Sequence, residues 1–405
     1  MTTKSDERPR ASLSAIPRGV WALGFVSLLM DVSSEMIHAL LPVFLVSVLG
    51  ASVSAVGLLE GLAEATASIT KVFSGVLSDW LGKRKQLVVL GYGLAALTKP
   101  LFALAPSVGW VVAARLADRI GKGIRGAPRD ALLADLTPPK LRGASFGLRQ
   151  MLDTVGAFAG PLLAIATMSL TGGSFRTVFW VAVIPAAACV AVLVMFVEDP
   201  RSARATSVRS PLRAIGTLGG AYWALVAVAA LFTLARFSEA FLILKVATVG
   251  LSASYVPLVL VLMNVAYAGC AYPAGWLSDR ANRWWVVGVG AALLIGADLV
   301  LAASTTVQLA LVGIVVWGLH MGFTQGLFAA LVADAARPEQ RGTAFGVFNL
   351  VSGVALLAAS ALAGVVWDRV GAAATFFTGA GLTALAVLVA VGLGAIGLLR
   401  RSGGT

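Results

Sequence analysis

Twelve apolar stretches joined by mostly short connections constrain this chain more than any other feature. They fall at about 20–48, 53–79, 86–105, 108–134, 143–170, 175–197, 219–247, 254–278, 284–303, 307–335, 343–367 and 373–398. A hydrocarbon core about 30 Å thick is crossed by a helix of about 20 apolar residues. In lipid the backbone must satisfy its own hydrogen bonds, so spans of this length read as helices. Only 12% of the 405 residues are charged, against roughly 25% in soluble domains, and 59% are hydrophobic. The fold class is therefore an all-α polytopic membrane protein with twelve transmembrane helices.

The net charge of +12 is not a nucleic-acid signal, because the basic residues are scattered between apolar runs. One side of the connections holds nearly all of them: Lys4, Arg8, Arg10 and Arg18, then Lys83, Arg84 and Lys85, then Lys140 and Arg142. The same side continues with Arg201, Arg204, Arg209 and Arg213, Arg280 and Arg283, Arg337 and Arg341, and Arg400 and Arg401. The opposite connections offer Arg176 and Arg369. The positive-inside rule then puts both termini in the cytoplasm of a multi-pass inner-membrane protein. Residues 1–19 are polar and basic, and the next apolar run is too long for a cleaved signal peptide. Cys189 and Cys270 lie inside apolar spans and read as small buried residues rather than a disulfide.

The one long polar interruption, Glu198–Arg213, divides the spans six and six. It predicts an N-terminal bundle over 1–197, a linker over 198–218 and a C-terminal bundle over 219–405. The halves also repeat. GVLSDWLGKRK at 75–85 is matched by GWLSDRANRWW at 275–285, and LLADLTPPKLRGASFG at 132–147 by LVADAARPEQRGTAFG at 331–346. Two matches near one spacing predict a duplicated six-helix unit with pseudo-two-fold symmetry, an arrangement that places a binding site between the halves.

Charges inside the spans are the functional signal, since a charge near the bilayer centre costs several kcal/mol. Asp31, Glu35 and His38 of the first span fall at about 0°, 40° and −20° around a helix, on one stripe. The fourth span carries Arg115, Asp118, Arg119, Lys122, Arg125 and Arg129 within about 120°. Arg125 and Arg129 are close enough to the cytoplasmic interface to snorkel. Arg115 and Arg119 are not, and Asp31 and Glu35 are the expected partners. The second span adds Glu60, Glu64 and Lys71, the third Lys99, and the fifth Arg149 and Asp153. The C-terminal half is sparser, with Arg236, Glu239, Asn264, Asp298 and His320; Lys245 is read as snorkelling outward.

Gly75-Val-Leu-Ser-Asp79-Trp-Leu-Gly82-Lys83-Arg84-Lys85 resembles the signature between helices 2 and 3 of the major facilitator superfamily, with Trp80 where an arginine is usual. Gly147, Gly156, Gly160 and Pro161 keep a spacing similar to the helix-5 motif of drug/proton antiporters, although Ala164 and Ile165 replace its final glycines. Arg119-Ile-Gly-Lys-Gly-Ile-Arg-Gly-Ala127 resembles the helix-4 motif of the same branch. The resemblance implies two bundles that rock about a central site and a proton-coupled exporter of small organic molecules. It also implies a functional monomer without cofactor or bound metal. Gly75, Asp79, Gly82, Lys83, Arg84, Asp279 and Arg280 then form a conformational gate.

Proton coupling is expected of Asp31, Glu35, His38, Arg119 and Asp153, because a carboxylate can load a proton when a neighbouring cation leaves and release it when the pair reforms. Glu60, Glu64, Arg115, Arg236, Glu239, Asn264 and His320 are the candidate substrate contacts. Two other cargoes stay open: a metal cation held by the Asp31, Glu35 and His38 stripe, or an organic anion met by the helix-4 arginines. No nucleotide-binding, nucleophile or complete metal motif points to an enzyme.

Overall fold

The computed structural model describes residues 16–81, 83–198, 216, 218–337 and 340–395. Among the described residues twelve long helical segments follow one another, beginning with α1 (Arg18–Val48), α2 (Val53–Leu81), α3 (Arg84–Leu104), α4 (Val108–Leu136), α5 (Arg142–Leu170) and α6 (Phe175–Phe196). The second half runs α7 (Gly220–Thr248), α8 (Leu258–Arg280), α9 (Arg283–Ala303), α10 (Val307–Ala335), α11 (Arg341–Arg369) and α12 (Ala372–Ala395). Ten of these are apolar enough to span on composition alone. The exceptions are α2 and α4, which carry the charges. Apart from Glu198, Gly216 and Leu218, the linker lies outside the described residues.

The first helix of each half is interrupted at the same place. The α-helix of α1 ends at His38, ahead of Pro42, whose missing N–H frees a turn, and the span finishes in a π-helical turn over Phe44–Val48. The sequence reading of 219–247 as one continuous helix is corrected: α7 is helical over Gly220–Ala235 and again over Ala240–Thr248. Its unwound stretch holds Arg236 and Glu239. The freed amide of Ser238 donates to Ser360 Oγ of α11 at 3.1 Å, so tertiary contact replaces the helical bond.

The duplication extends to single side chains. Arg84 pairs with Asp135 in the first half and Arg283 with Asp334 in the second, each tying the start of one helix to the end of the next. Cations also cap the far ends of α3 and α9. Arg176 donates to the carbonyls of Ala103 and Ala105 at 2.8 and 2.9 Å, and Lys245 to that of Ser304 at 3.0 Å. Lys245 is thus buried on a helix end rather than snorkelling.

The halves meet most closely along α2 and α11. A Cβ at Gly57 would collide with the Ser360 carbonyl, one at Gly61 would lie 2.8 Å from Leu357 Cα, and one at Gly364 2.6 Å from Ser54 Cα. Asp368 closes this end. Its carboxylate accepts from the amides of Val53 at 3.1 Å and Ser54 at 2.8 Å, and from Ser54 Oγ at 2.5 Å. Further along, Gly353 still faces Ser68 at 3.2 Å, but Gly346 has nothing within 4 Å of its Cβ position. The two halves are therefore closed at the Asp368 end and parted toward the end bearing the basic connections.

Candidate functional site

One charged network runs through α1, α2, α3 and α4. His38 stands between two carboxylates, Nδ1 being 3.5 Å from Glu35 Oε2 and Nε2 3.7 Å from Glu60 Oε2. Glu60 accepts from Arg115 Nη2 at 2.8 Å, and Glu64 from Arg119 Nη1 at 3.1 Å. Arg119 Nε lies 3.8 Å from Asp118, which accepts from Lys99 Nζ at 2.9 Å. Lys99 also donates to Ser34 Oγ at 3.0 Å, so the network returns to the helix it started from. Glycines bring these helices together. A Cβ on Gly91 of α3 or on Gly121 of α4 would lie 2.7 Å from the other's carbonyl oxygen, and one on Gly123 2.8 Å from the Ala67 carbonyl of α2.

This arrangement corrects the pairing expected from sequence. Arg115 and Arg119 bond the glutamates of α2, not Asp31 and Glu35. The reason is packing: α4 lies along α2 and α3, whereas α1 leans on α5. A Cβ at Gly156 would fall 2.9 Å from Asp31 Cβ, and one at Gly160 2.7 Å from Glu35 Cβ. Asp31 stands apart from the network, in the field of Asp153, Arg125, Glu35 and Lys122. Asp153 is held by Arg149 one turn earlier on α5. Arg125, read as snorkelling, is buried with its guanidinium 4.6 Å above the Tyr92 ring.

A cleft of about 230 Å³ opens between the halves beside this network. Glu64 and Ser68 form one wall; Phe232, Thr233 and Arg236 of α7, with Thr324, Gln325, Asn349 and Ser352, form the others. Two predicted substrate residues, Glu64 and Arg236, thus face one space from opposite halves. The neutral groups Ser68, Gln325, Asn349 and Ser352 were missed, because hydroxyls and amides in an apolar span carry no charge signal; the i, i+3 spacing of Asn349 and Ser352 was the available hint.

Other predicted contacts lie elsewhere. Glu60 and Arg115 are consumed by each other and almost fully buried. His320 is buried completely against Trp317, with Nδ1 at that residue's own carbonyl, and does not line the cleft. Neither Asn264 nor Glu239 is part of its wall. Among the described residues no group of three His, Cys, Asp or Glu side chains is arranged to hold a metal.

The proposed gate is only partly visible. Gly82 and the side chains of Asp79 and Asp279 lie outside the described residues. Arg84 bonds Asp135 and the Ala131 carbonyl within its own half, and Arg280 stacks 3.9 Å over Trp276. Lys83 is exposed. Gly75 makes no unusually close approach, its Cβ position lying an ordinary 3.4 Å from Ala127. In α5, Gly147 has no neighbour within 4 Å of its Cβ position, whereas Gly156 and Gly160 are motif glycines that face α1 closely. Pro161 lies inside an unbroken helix.

Comparison with known proteins follows the same lines. The family model described as Major Facilitator Superfamily matches residues 23–360. An uncharacterized MFS-type transporter of Methanocaldococcus jannaschii is 32% identical over 381 residues, covering 92% of this chain and 94% of that protein. The multidrug resistance protein MdtH of Photorhabdus laumondii is 32% identical over 147 residues, 36% of each chain. A crystal structure of a POT family transporter in complex with 5-aminolevulinic acid superposes with a TM-score of 0.82 at 12% identity, covering 97% of this chain and 99% of that one. Twelve helices in two like halves, a charged cleft between them and a family match over most of the sequence make this chain a member of the Major Facilitator Superfamily of membrane transporters.

Proposed function

We propose that the protein is a proton-coupled secondary transporter that exports small organic molecules by rocking its two halves about the central cleft. One observation carries this reading: His38 lies between Glu35 and Glu60 in a buried network of alternating acids and cations. Its carboxylates are Glu35, Glu60, Glu64 and Asp118, and its permanent cations are Lys99, Arg115 and Arg119. Lys122 stands in the same field, beside Glu35 and Glu64, and a proton on His38 adds a further positive charge between Glu35 and Glu60. Buried charge is costly unless paired, so loading and releasing that proton changes which arrangement of the network is favoured. Glu64 carries the change to the cleft, because it belongs both to the network and to the cleft wall.

The charge asymmetry of the connections supports a cytoplasmic position for the parted end of the halves. The cleft is then open inward, ready to collect cargo from the cytoplasm. The partial match to a multidrug resistance protein, over 36% of this chain, supports export of organic molecules. Arg119 keeps its role as a coupling residue through Glu64. Asp31 stands apart from this network beside α5, where Asp153 is paired with Arg149.

Proteoliposomes test the reading. With an imposed pH gradient, transport of ethidium or carboxyfluorescein should accompany proton movement reported by a pH dye. His38→Gln should abolish the coupled proton movement. Coupled flux of the same size in His38→Gln, or the absence of proton movement for any transported probe, would remove the proposal.

A further inference from the structure

Asp298 of α9 is a buried acid outside the network of α1–α4. It is 0% exposed, and neither of its carboxyl oxygens has a hydrogen-bond partner among the described residues. The internal repeat identifies what is missing. Arg84 and Arg283, like Asp135 and Asp334, are related by an offset of 199 residues. At that offset Asp298 stands where the first half has Lys99, and Trp317 stands where it has Asp118. Lys99 and Asp118 satisfy each other at 2.9 Å. In the second half the pair becomes an acid and an indole, so the acid is buried without its counter-charge.

The carboxyl faces the interruption of α7. A Cβ at Gly379 of α12 would fall 2.6 Å from Asp298 Oδ2, 3.1 Å from Phe237 Cε1 and 3.3 Å from the Ala235 carbonyl oxygen. Gly379 thus leaves one small gap that the carboxyl, the ring and the carbonyl share. Ala235 ends the first helical segment of α7, and its carbonyl receives no backbone N–H from the interrupted stretch. A helix C-terminus carries the negative end of the dipole, so it disfavours a carboxylate, whereas a protonated carboxyl can donate to it. Phe237 packs against Trp317 and Phe376, each at 5.5 Å between ring centres, which makes the surroundings of the gap aromatic.

No neighbouring charge serves as partner. α12 carries no titratable side chain. On α10, His320 turns Nδ1 to the Trp317 carbonyl, and Asp334 is paired with Arg283. On α8, Cys270 bonds the Leu319 carbonyl, and Tyr267 stands in the field of Arg236. On α7, Arg236 and Glu239 lie in each other's field, and Lys245 is held by the Ser304 carbonyl. None of these adds to the field at Asp298. An ionised carboxyl there would have neither water, donor nor cation, which is far costlier than burying the neutral acid.

We propose that Asp298 is a proton-binding site of the C-terminal half, its protonated carboxyl donating a hydrogen bond to the Ala235 carbonyl and so fixing the interruption of α7 against α12. The site goes beyond the coupling assigned to His38 and shares no residue with it. A hard metal cation is the competing ligand for a buried acid, but such ions take about six oxygens, and one carbonyl among aromatic rings does not supply them.

Infrared spectroscopy of the purified protein in lipid nanodiscs near neutral pH tests this, because a protonated carboxyl gives a carbonyl-stretch band that an ionised one lacks. Asp298→Asn should remove one component of that band, with little change in melting temperature, since the amide can also donate to the Ala235 carbonyl. Asp298→Ser should remove the same component, and it guards against a first variant that fails to fold. Gly379→Ala should shift the component rather than remove it, as the added methyl pushes the carboxyl off the carbonyl. A band that neither Asp298 variant changes overturns the proposal. So does a component that Gly379→Ala leaves unshifted, which would place the carboxyl away from Ala235. Loss of the component on adding sodium at constant pH would assign the site to a metal cation and overturn it as well. His38→Gln should leave the component in place, so failure of coupling at His38 and failure of this site give different results.

Discussion

His38 Nε2 lies 3.7 Å from Glu60 Oε2, the same oxygen that accepts from Arg115 at 2.8 Å. The imidazole therefore competes with an arginine for one carboxylate oxygen while its other nitrogen faces Glu35. A neutral ring weakens the hold on both acids, and a charged ring strengthens it. His38→Gln keeps a hydrogen-bonding side chain but cannot take up a charge. Gradient-driven transport should fall at least tenfold in this variant, while exchange of probe for probe, which needs no net proton, should persist. Initial rates of the two modes in the same vesicles check this.

The pair formed by Arg115 and Glu60 has an apolar counterpart in the other half. The internal offsets of 199 and 200 residues place Ile314 opposite Arg115 and Leu260 opposite Glu60. Removing one member of a buried pair strands a charge and typically costs about 3–5 kcal/mol. Arg115→Ile alone should therefore lower the melting temperature sharply. Adding Glu60→Leu should restore most of it, because the C-terminal half already tolerates those side chains at those positions. Transport should not return with stability if the network is coupling machinery. A thermal melt of the single and double variants, read beside transport, separates the two roles.

Gly156 and Gly160 set how closely α5 approaches α1. An added methyl would meet the Leu28 carbonyl at 2.7 Å from Gly156, and the Val32 carbonyl at 2.8 Å from Gly160. Backbone cannot give way as a side chain can, and forced overpacking costs about 1–3 kcal/mol. Gly160→Ala should displace Glu35, whose Cβ lies 2.7 Å away, and so reduce coupling as well as stability. Gly147→Ala, with no neighbour within 4 Å, should change neither. Melting temperatures of Gly156→Ala, Gly160→Ala and Gly147→Ala make the comparison.

Most of the architecture is legible in the sequence because a span is a local property. Twenty apolar residues mark a helix whatever it packs against, and the ends of α2, α3 and α4 fall within two residues of the apolar runs. Partnerships among charges are not local. Arg115 and Arg119 face inward, as their stripe implies, but whether they meet Asp31 or Glu60 depends on which helices touch. Glycines decide that: Gly121 and Gly123 draw α4 to α3 and α2, while Gly156 and Gly160 draw α5 to α1. The break in α7 was hidden for a related reason. No proline or glycine stands between Ala235 and Ala240; at the unwound stretch the Ser238 amide donates to Ser360 of α11 instead of to its own helix.

Asp368 offers the last test, at the opposite end from the parted halves. It belongs to α11, yet it accepts from the first amides of α2, as a capping residue would, and it sits where the helix dipole favours negative charge. Loss of such a cap costs about 0.5–2 kcal/mol. Because the bond spans the two halves, that cost should fall on the state closed at this end and spare the state in which α2 and α11 separate here. A shift of about 1.4 kcal/mol changes the ratio of the two states tenfold. Asp368→Ala should therefore raise the fraction of molecules open at this end. Spin labels on Ala51 and Val370, each changed to cysteine, with Cys189 and Cys270 replaced by alanine, report that opening as a longer distance population. The same distance distribution with and without Asp368 would show that the cap holds nothing between the halves.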